Sequence, residues 1–165
     1  MGTVSNYTSI RQVVEDPQCA EILHIAGGSR KVRAAGVYNV VFKPDFEGWA
    51  ARWIGTGKEA RHVVEQPYGY VVLGVLTFLA ERKMRLTAIA ETSDEGLIEA
   101  ILPRNALSIE GQVIVRLRAD EGRVIIEAAV KVPGQMYDWG RSTRTLAKLF
   151  ETVDAKVAIF YERDL

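Results

Sequence analysis

The sequence predicts an α+β fold in which two short N-terminal helices precede a run of antiparallel strands and one long helix ends the chain. Three observations carry it. Between Met84 and Val132 apolar residues alternate with polar ones at the period-two spacing of half-buried strands. Two turn signals, Ser93-Asp94-Glu95-Gly96 and Ala119-Asp120-Glu121-Gly122, interrupt that alternation where hairpins need them. Beyond Pro133-Gly134 the apolar spacing changes to three and four residues, the period of an amphipathic helix.

Taken in order, Ile10, Val13 and Val14 predict a first short helix. Asp16-Pro17 then supplies an N-cap and a first-turn proline for a second, which carries Cys19, Ala20, Ile22, Leu23 and Ile25 and ends at Ala26-Gly27-Gly28-Ser29. Val37 to Phe42 adds a strand, whereas residues 44–69, with Trp49, Trp53 and His62, show no period that assigns them. The apolar run Val71 to Leu79 fits a buried helix or a buried strand; its β-branched and aromatic content beside neighbouring strands favours strand. Met84, Leu86, Ala88 and Ala90 alternate with Arg85, Thr87 and Glu91, and Ile98, Ala100 and Leu102 continue the pattern to Pro103. Ile109, Gly111, Val113, Val115 and Leu117 then oppose Glu110, Gln112, Arg116 and Arg118, which predicts one largely solvated face. Val124, Ile126, Ala128, Val130 and Val132 complete the hairpin. In the last helix the apolar stripe is Met136, Trp139, Gly140, Thr143, Leu146, Ala147, Phe150 and Val153, opposite Asp138, Arg141, Arg144, Lys148 and Glu151, with an extension toward Phe160.

At 165 residues the chain fits one domain with a sizeable core. Twenty-one basic and twenty-one acidic side chains cancel, so composition gives no electrostatic case for nucleic acid or an anionic membrane. The single cysteine, Cys19, forms no internal disulfide and suits a reducing compartment. The most apolar run, Tyr70 to Ala80, is about half the ~20 residues of a spanning helix and ends at Glu81, Arg82 and Lys83. With no signal-peptide pattern either, the expectation is a cytoplasmic protein, peripheral to a membrane at most.

Motifs with chemistry are weak. Gly55-Thr56-Gly57-Lys58-Glu59 lacks the first glycine and the final hydroxyl residue of a phosphate loop, and reads as a turn. His24 and His62 have no ligand at a metal-motif spacing, so neither a metal nor another cofactor is expected. There is no Gly-x-Ser-x-Gly elbow, and Cys19 has no histidine partner in sequence. Asp138 and Tyr137 are the one acid-base candidate, set against a carboxylate stabilised by the helix dipole. Trp49, Trp53, Tyr38, Tyr68 and Tyr70 fit a pocket gate, a contact with a membrane or partner, or the core. Asn6-Tyr7-Thr8 matches a glycosylation acceptor that matters only on export.

Val14-Glu15-Asp16-Pro17 with Gly27-Gly28, Leu73-Gly74 leading into Phe78, and Glu110-Gly111-Gln112-Val113 through Pro133-Gly134-Gln135-Met136 to Trp139-Gly140 form a pattern. It resembles the START-like, helix-grip superfamily, and within it the G-subunit family of carbon monoxide dehydrogenase. The resemblance is good from about residue 70 to 153, and its motifs are glycines and alternation without a catalytic signature. It implies a curved sheet wrapped around the long helix with an apolar cavity between them. The expected occupant is a hydrophobic small molecule such as a lipid, quinone or polyketide-like compound, lined by Phe78, Met84, Leu86, Met136, Trp139 and Thr143. Two alternatives come from the same resemblance: an accessory protein that brings an oxidoreductase or other partner enzyme to a membrane surface, and a cavity enzyme of the cyclase or hydratase type.

Overall fold

The computed structural model describes residues 2–28, 41–42, 58–102, 111–131 and 141–165. A 3-10 turn at Val4–Asn6 is followed by α1 (Ile10–Glu15), α2 (Pro17–Ala26), β1 (Val41–Phe42), β2 (Lys58–Val64), α3 (Tyr68–Glu81), β3 (Arg85–Glu91), β4 (Glu95–Ile101), β5 (Gln112–Asp120), β6 (Arg123–Lys131) and α4 (Arg141–Glu162). The strand order is β1-β3-β4-β5-β6-β2. β2 to β6 make a curved five-stranded antiparallel sheet, and β1 adds two residues parallel to β3. With α4 packed on β6 and β2, this is the expected α+β class and is consistent with a helix-grip arrangement.

The turn signals act as read. Between β5 and β6, Glu121 and Gly122 take left-handed φ of 44° and 80°, as a two-residue hairpin turn matched to strand twist requires. The inner face carries Leu86, Ile89, Ile98, Ala100, Val113, Val115, Leu117, Val124, Ile126, Ala128 and Val130, all buried. The outer face departs from expectation. It is not largely solvated, because Ala90, Leu97, Ile114 and Ala129 form a second buried cluster and Ile125 is buried too. The physical sign is in the chain: Val113-Ile114-Val115 and Val124-Ile125-Ile126 break alternation, as strands covered on both faces do.

A second correction concerns Val71 to Leu79, which is helix. Every residue from Gly69 to Leu79 is buried, so α3 is apolar on all sides because it has neighbours on all sides. The helix is 14 residues long, beyond an ordinary strand, and that length outweighs the β-branched content of the run. Gly74 faces α4, where a Cβ would stand 3.5 Å from the Val153 Cα, an ordinary contact. Thr77 donates its hydroxyl to the Leu73 carbonyl at 2.6 Å, which removes the polar cost of burying it.

α4 buries Leu146, Leu149, Val153, Val157 and Phe160. Thr143 and Ala147, placed on the apolar stripe by the sequence, are exposed, and Phe150 is half-buried. The helix does extend past Phe160; its expected start around Met136 lies outside the described residues, as do residues 37–40 of the expected Val37–Phe42 strand.

The N-terminal helices form as their caps dictate. Ser9 and Gln12 make a capping box on α1, and Asp16 accepts from the amides of Gln18 and Cys19 at 2.7 and 3.1 Å to open α2. Glu91 from β3 reaches the first amide of α1, Ile10 N, at 2.8 Å and ties the pair of helices to the sheet.

Candidate functional site

The place first to inspect is the space between sheet and α4. There α4 packs directly on β6 and β2, with α3 against it: Val71, Val72, Leu73, Val75, Leu76, Phe78 and Leu79 are each at most 3% exposed and belong to one cluster with the inner face and the buried side of α4. Phe78 is thus a core residue of α3, with the Arg82 guanidinium 5.5 Å from its ring centroid. Leu86 is buried at the start of β3, and Met84, partly buried, packs against the same core. These three gather near the α3–β3 connection, whereas Thr143 is exposed on α4; Met136 and Trp139 lie outside the described residues. Asp138 and Tyr137 lie outside them too, as do Tyr38, Trp49, Trp53 and the Gly55–Gly57 part of the loop before β2.

Two polar constellations were not legible in sequence. On edge strand β2, His62 shares the inward face with Ala60 and Val64 and meets α4: its Nε2 lies 2.9 Å from each carboxylate oxygen of Asp154, and its ring stacks on Phe150 at 4.9 Å. The pair spans the seam between β2 and α4, with side chains 30% and 52% exposed. His62 and Asp154 stand 92 residues apart, so no local spacing announces them. They lack a third acid, histidine or cysteine: among the described residues no group of three such side chains is placed to hold a metal.

The second constellation is Tyr7, Asp16 and Cys19. Tyr7 donates its hydroxyl to Asp16. Burial alone would raise the Asp16 carboxyl, but hydrogen bonds from Tyr7, the amides of Cys19 and Gln18 and the Cys19 thiol outweigh it and hold the carboxyl below its usual value. The bond to Asp16, with burial and the Asp16 charge, pushes the Tyr7 hydroxyl up to about 12. Burial first, then Asp16, pushes the wholly buried Cys19 thiol up to about 12 as well. A thiol so protonated is a poor nucleophile, and the cluster reads as a clasp for the N-terminal helices. Burial and the charges of Glu91 and Glu95 likewise push the Tyr68 hydroxyl up. Tyr70 is core, with its hydroxyl donating to the Leu165 carbonyl at 3.3 Å. His24 is half-buried in the last turn of α2.

The surface holds what composition concealed. Antiparallel pairing sends successive connections to opposite ends of the sheet. At one end, the α3–β3 connection exposes Arg82, Lys83 and Arg85, and Arg85 begins a terminal row that crosses Ile101 and Gln112 to Lys131. Glu81, the acid beside them, is paired with Lys156 at 2.8 Å. At the other end lie Glu91, Asp94, Glu95, Asp120 and Glu121. There Glu95 is bound by Arg116 at 2.7 Å and Asp120 by Arg123 at 3.0 Å, while Asp94 and Glu121 are exposed without an ion pair among the described residues. Among the described residues, Arg82, Lys83 and Arg85 thus stand at one end of the sheet and the acids of the two turns at the other.

No family model, no curated protein and no solved structure matches the chain. No helix among the described residues is long and apolar enough to cross a membrane.

Proposed function

We propose that the protein is a non-enzymatic accessory protein that works from its surface, bringing a partner enzyme to a membrane boundary. The observation that carries this reading is the gathering of exposed cations, Arg82, Lys83 and Arg85, at one end of a chain whose charges sum to zero. Anionic lipid surfaces attract such clusters by roughly 1 kcal/mol per cation. The geometry favours this over an enclosed lipid, quinone or polyketide-like ligand, since among the described residues the inner face of the sheet, α3 and the buried side of α4 already cover one another's apolar side chains. It also favours it over a cavity enzyme, because the histidine–carboxylate pair His62 and Asp154 sits at the seam between edge strand β2 and α4.

Flotation with lipid vesicles, paired with solvent extraction and mass spectrometry of the purified protein, tests the reading. Vesicle association without a stoichiometric apolar compound is expected. An apolar compound recovered at one per chain, with no vesicle association, would overturn it in favour of enclosed-ligand binding.

A further inference from the structure

The membrane reading leaves open which face docks and what lipid chemistry holds it. We infer that the chain docks end-on to an anionic bilayer through the α3–β3 elbow, Arg82, Lys83 and Arg85, with the β3–β4 and β5–β6 turns held away from the lipid. This rests on the reading above and assigns its residues, orientation and headgroup charge.

Several observations converge on the elbow. Arg82, Lys83 and Arg85 are exposed, and among the described residues none of them has a carboxylate partner. Charge at a helix C-terminus has an ordinary use, since Arg82 and Lys83 follow the last carbonyls of α3. Arg85 lies outside that role, because it already belongs to β3 and heads the terminal row of the sheet. Lys83 takes a left-handed φ of 53° where the chain passes from α3 to β3, and the four residues Arg82 to Arg85 at that bend carry three cations. Met84 between them packs inward on the core, so the elbow offers charge and not a greasy insert. Binding of that kind is reversible and screened by salt.

Orientation follows from the other end. Asp94 and Glu121 sit at the tips of the β3–β4 and β5–β6 turns, at the opposite limit of the strands, where an anionic surface repels them. Attraction at one end and repulsion at the other swing the strand axis toward the membrane normal, although the net charge gives no attraction from afar. A face-on pose would bring acids and cations to the surface together and forfeit that gain.

The test compares vesicles of phosphatidylcholine with vesicles containing about a third phosphatidylglycerol, at low and at high salt. The wild-type chain should associate with the anionic vesicles only, and release as salt rises. At about fivefold per cation, R82Q/K83Q/R85Q should lose roughly two orders of magnitude of partitioning, while E121Q on the far turn should lose none. Circular dichroism and melting of the triple variant guard against misfolding, and single R85Q, with about a fivefold loss, keeps the inference testable if the triple variant does not fold. Unchanged partitioning of R82Q/K83Q/R85Q would overturn the elbow and leave the membrane reading standing. No association of wild type with either vesicle would remove the membrane reading itself. Equal association with both vesicle types, or preference for a soluble polyanion such as heparin over anionic vesicles, would overturn the anionic bilayer as the partner.

Discussion

Gly69→Ala and Gly74→Ala make the same chemical change in α3 and should move stability in opposite directions. A Cβ on Gly69 would lie 2.0 Å from the carbonyl oxygen of Val4, a backbone atom that cannot rotate away. The 3-10 turn must therefore lift. It then exposes Val4, now 1% exposed, and breaks the bond from the Ser5 amide to the Leu165 carbonyl at 3.2 Å. Burial of a valine is worth about 1.5 kcal/mol or more, and the hydrogen bond about 1 kcal/mol. Alanine's helix preference returns at most about 1 kcal/mol, less near a helix start. The net expectation for Gly69→Ala is a loss of about 2 kcal/mol, or roughly 4–8 °C in melting temperature for a chain of this size. At Gly74 the nearest atoms would be 3.5 Å away, an ordinary contact, so propensity acts unopposed and stability should hold or rise by up to about 1 kcal/mol. Thermal and urea unfolding of both variants give the signs. A Gly69→Ala chain that melts at or above the wild type would refute the seating of the N-terminal turn on α3.

Further outcomes follow from the packing and the clasp. Leu149→Ala, at a side chain with no exposure, should cost about 2–5 kcal/mol, while Thr143→Ala on the exposed side of α4 should stay within about 0.5 kcal/mol; chemical denaturation separates them. The Cys19 thiol is raised from 9.0 to about 12, so the folded state keeps a proton that the unfolded state releases, and stability present below pH 9 is lost as pH climbs toward 12. That loss is on the order of 4 kcal/mol at most, by 1.36 kcal/mol per unit, and Cys19→Ala should flatten the alkaline limb of a stability-against-pH curve. Asp16 has the opposite sign: its carboxyl is lowered, so its contribution is present above pH 4 and fades in stronger acid, and Asp16→Ala should cost about 1 kcal/mol or more at neutral pH and progressively less as pH falls below 4.

The legible parts of the fold are those fixed by local rules. The alternation over Val115-Arg116-Leu117-Arg118 and Ile126-Glu127-Ala128, the turn at Glu121-Gly122 and the Asp16-Pro17 helix start each state their geometry within a few residues. What escapes a linear reading depends on neighbours. α3 has the composition of a strand and is a helix because burial on every side frees it from amphipathic spacing. Strand β2 reads Lys58-Glu59-Ala60-Arg61-His62-Val63-Val64, too charged to signal a strand, since an edge strand needs only a narrow apolar side. On α4, spacing puts Thr143 on the apolar stripe and omits Leu149, because a helix docked on both α3 and the sheet buries a face set by two partners. The expected lining divides accordingly: Phe78, Met84 and Leu86 share a neighbourhood through α3 and β3, which no spacing in the chain reveals.

Charge is the clearest case of topology adding what composition lacks. The stretch Glu81-Arg82-Lys83-Met84-Arg85 and the stretch Asp94-Glu95 are separated in sequence by one strand, and in a linear reading they cancel. A seven-residue strand at about 3.3 Å per residue moves them roughly 20 Å apart. That exceeds the Debye length of about 8 Å at physiological salt, so each end presents its own charge to whatever it meets. The same strand turned into a helix would rise only about 1.5 Å per residue and bring the two groups within about 10 Å, where they would largely neutralise each other. The extended backbone from Arg85 to Glu91, kept through a register shift between Leu86 and Ala88, is thus also what holds the cations of the elbow apart from the acids of the turns.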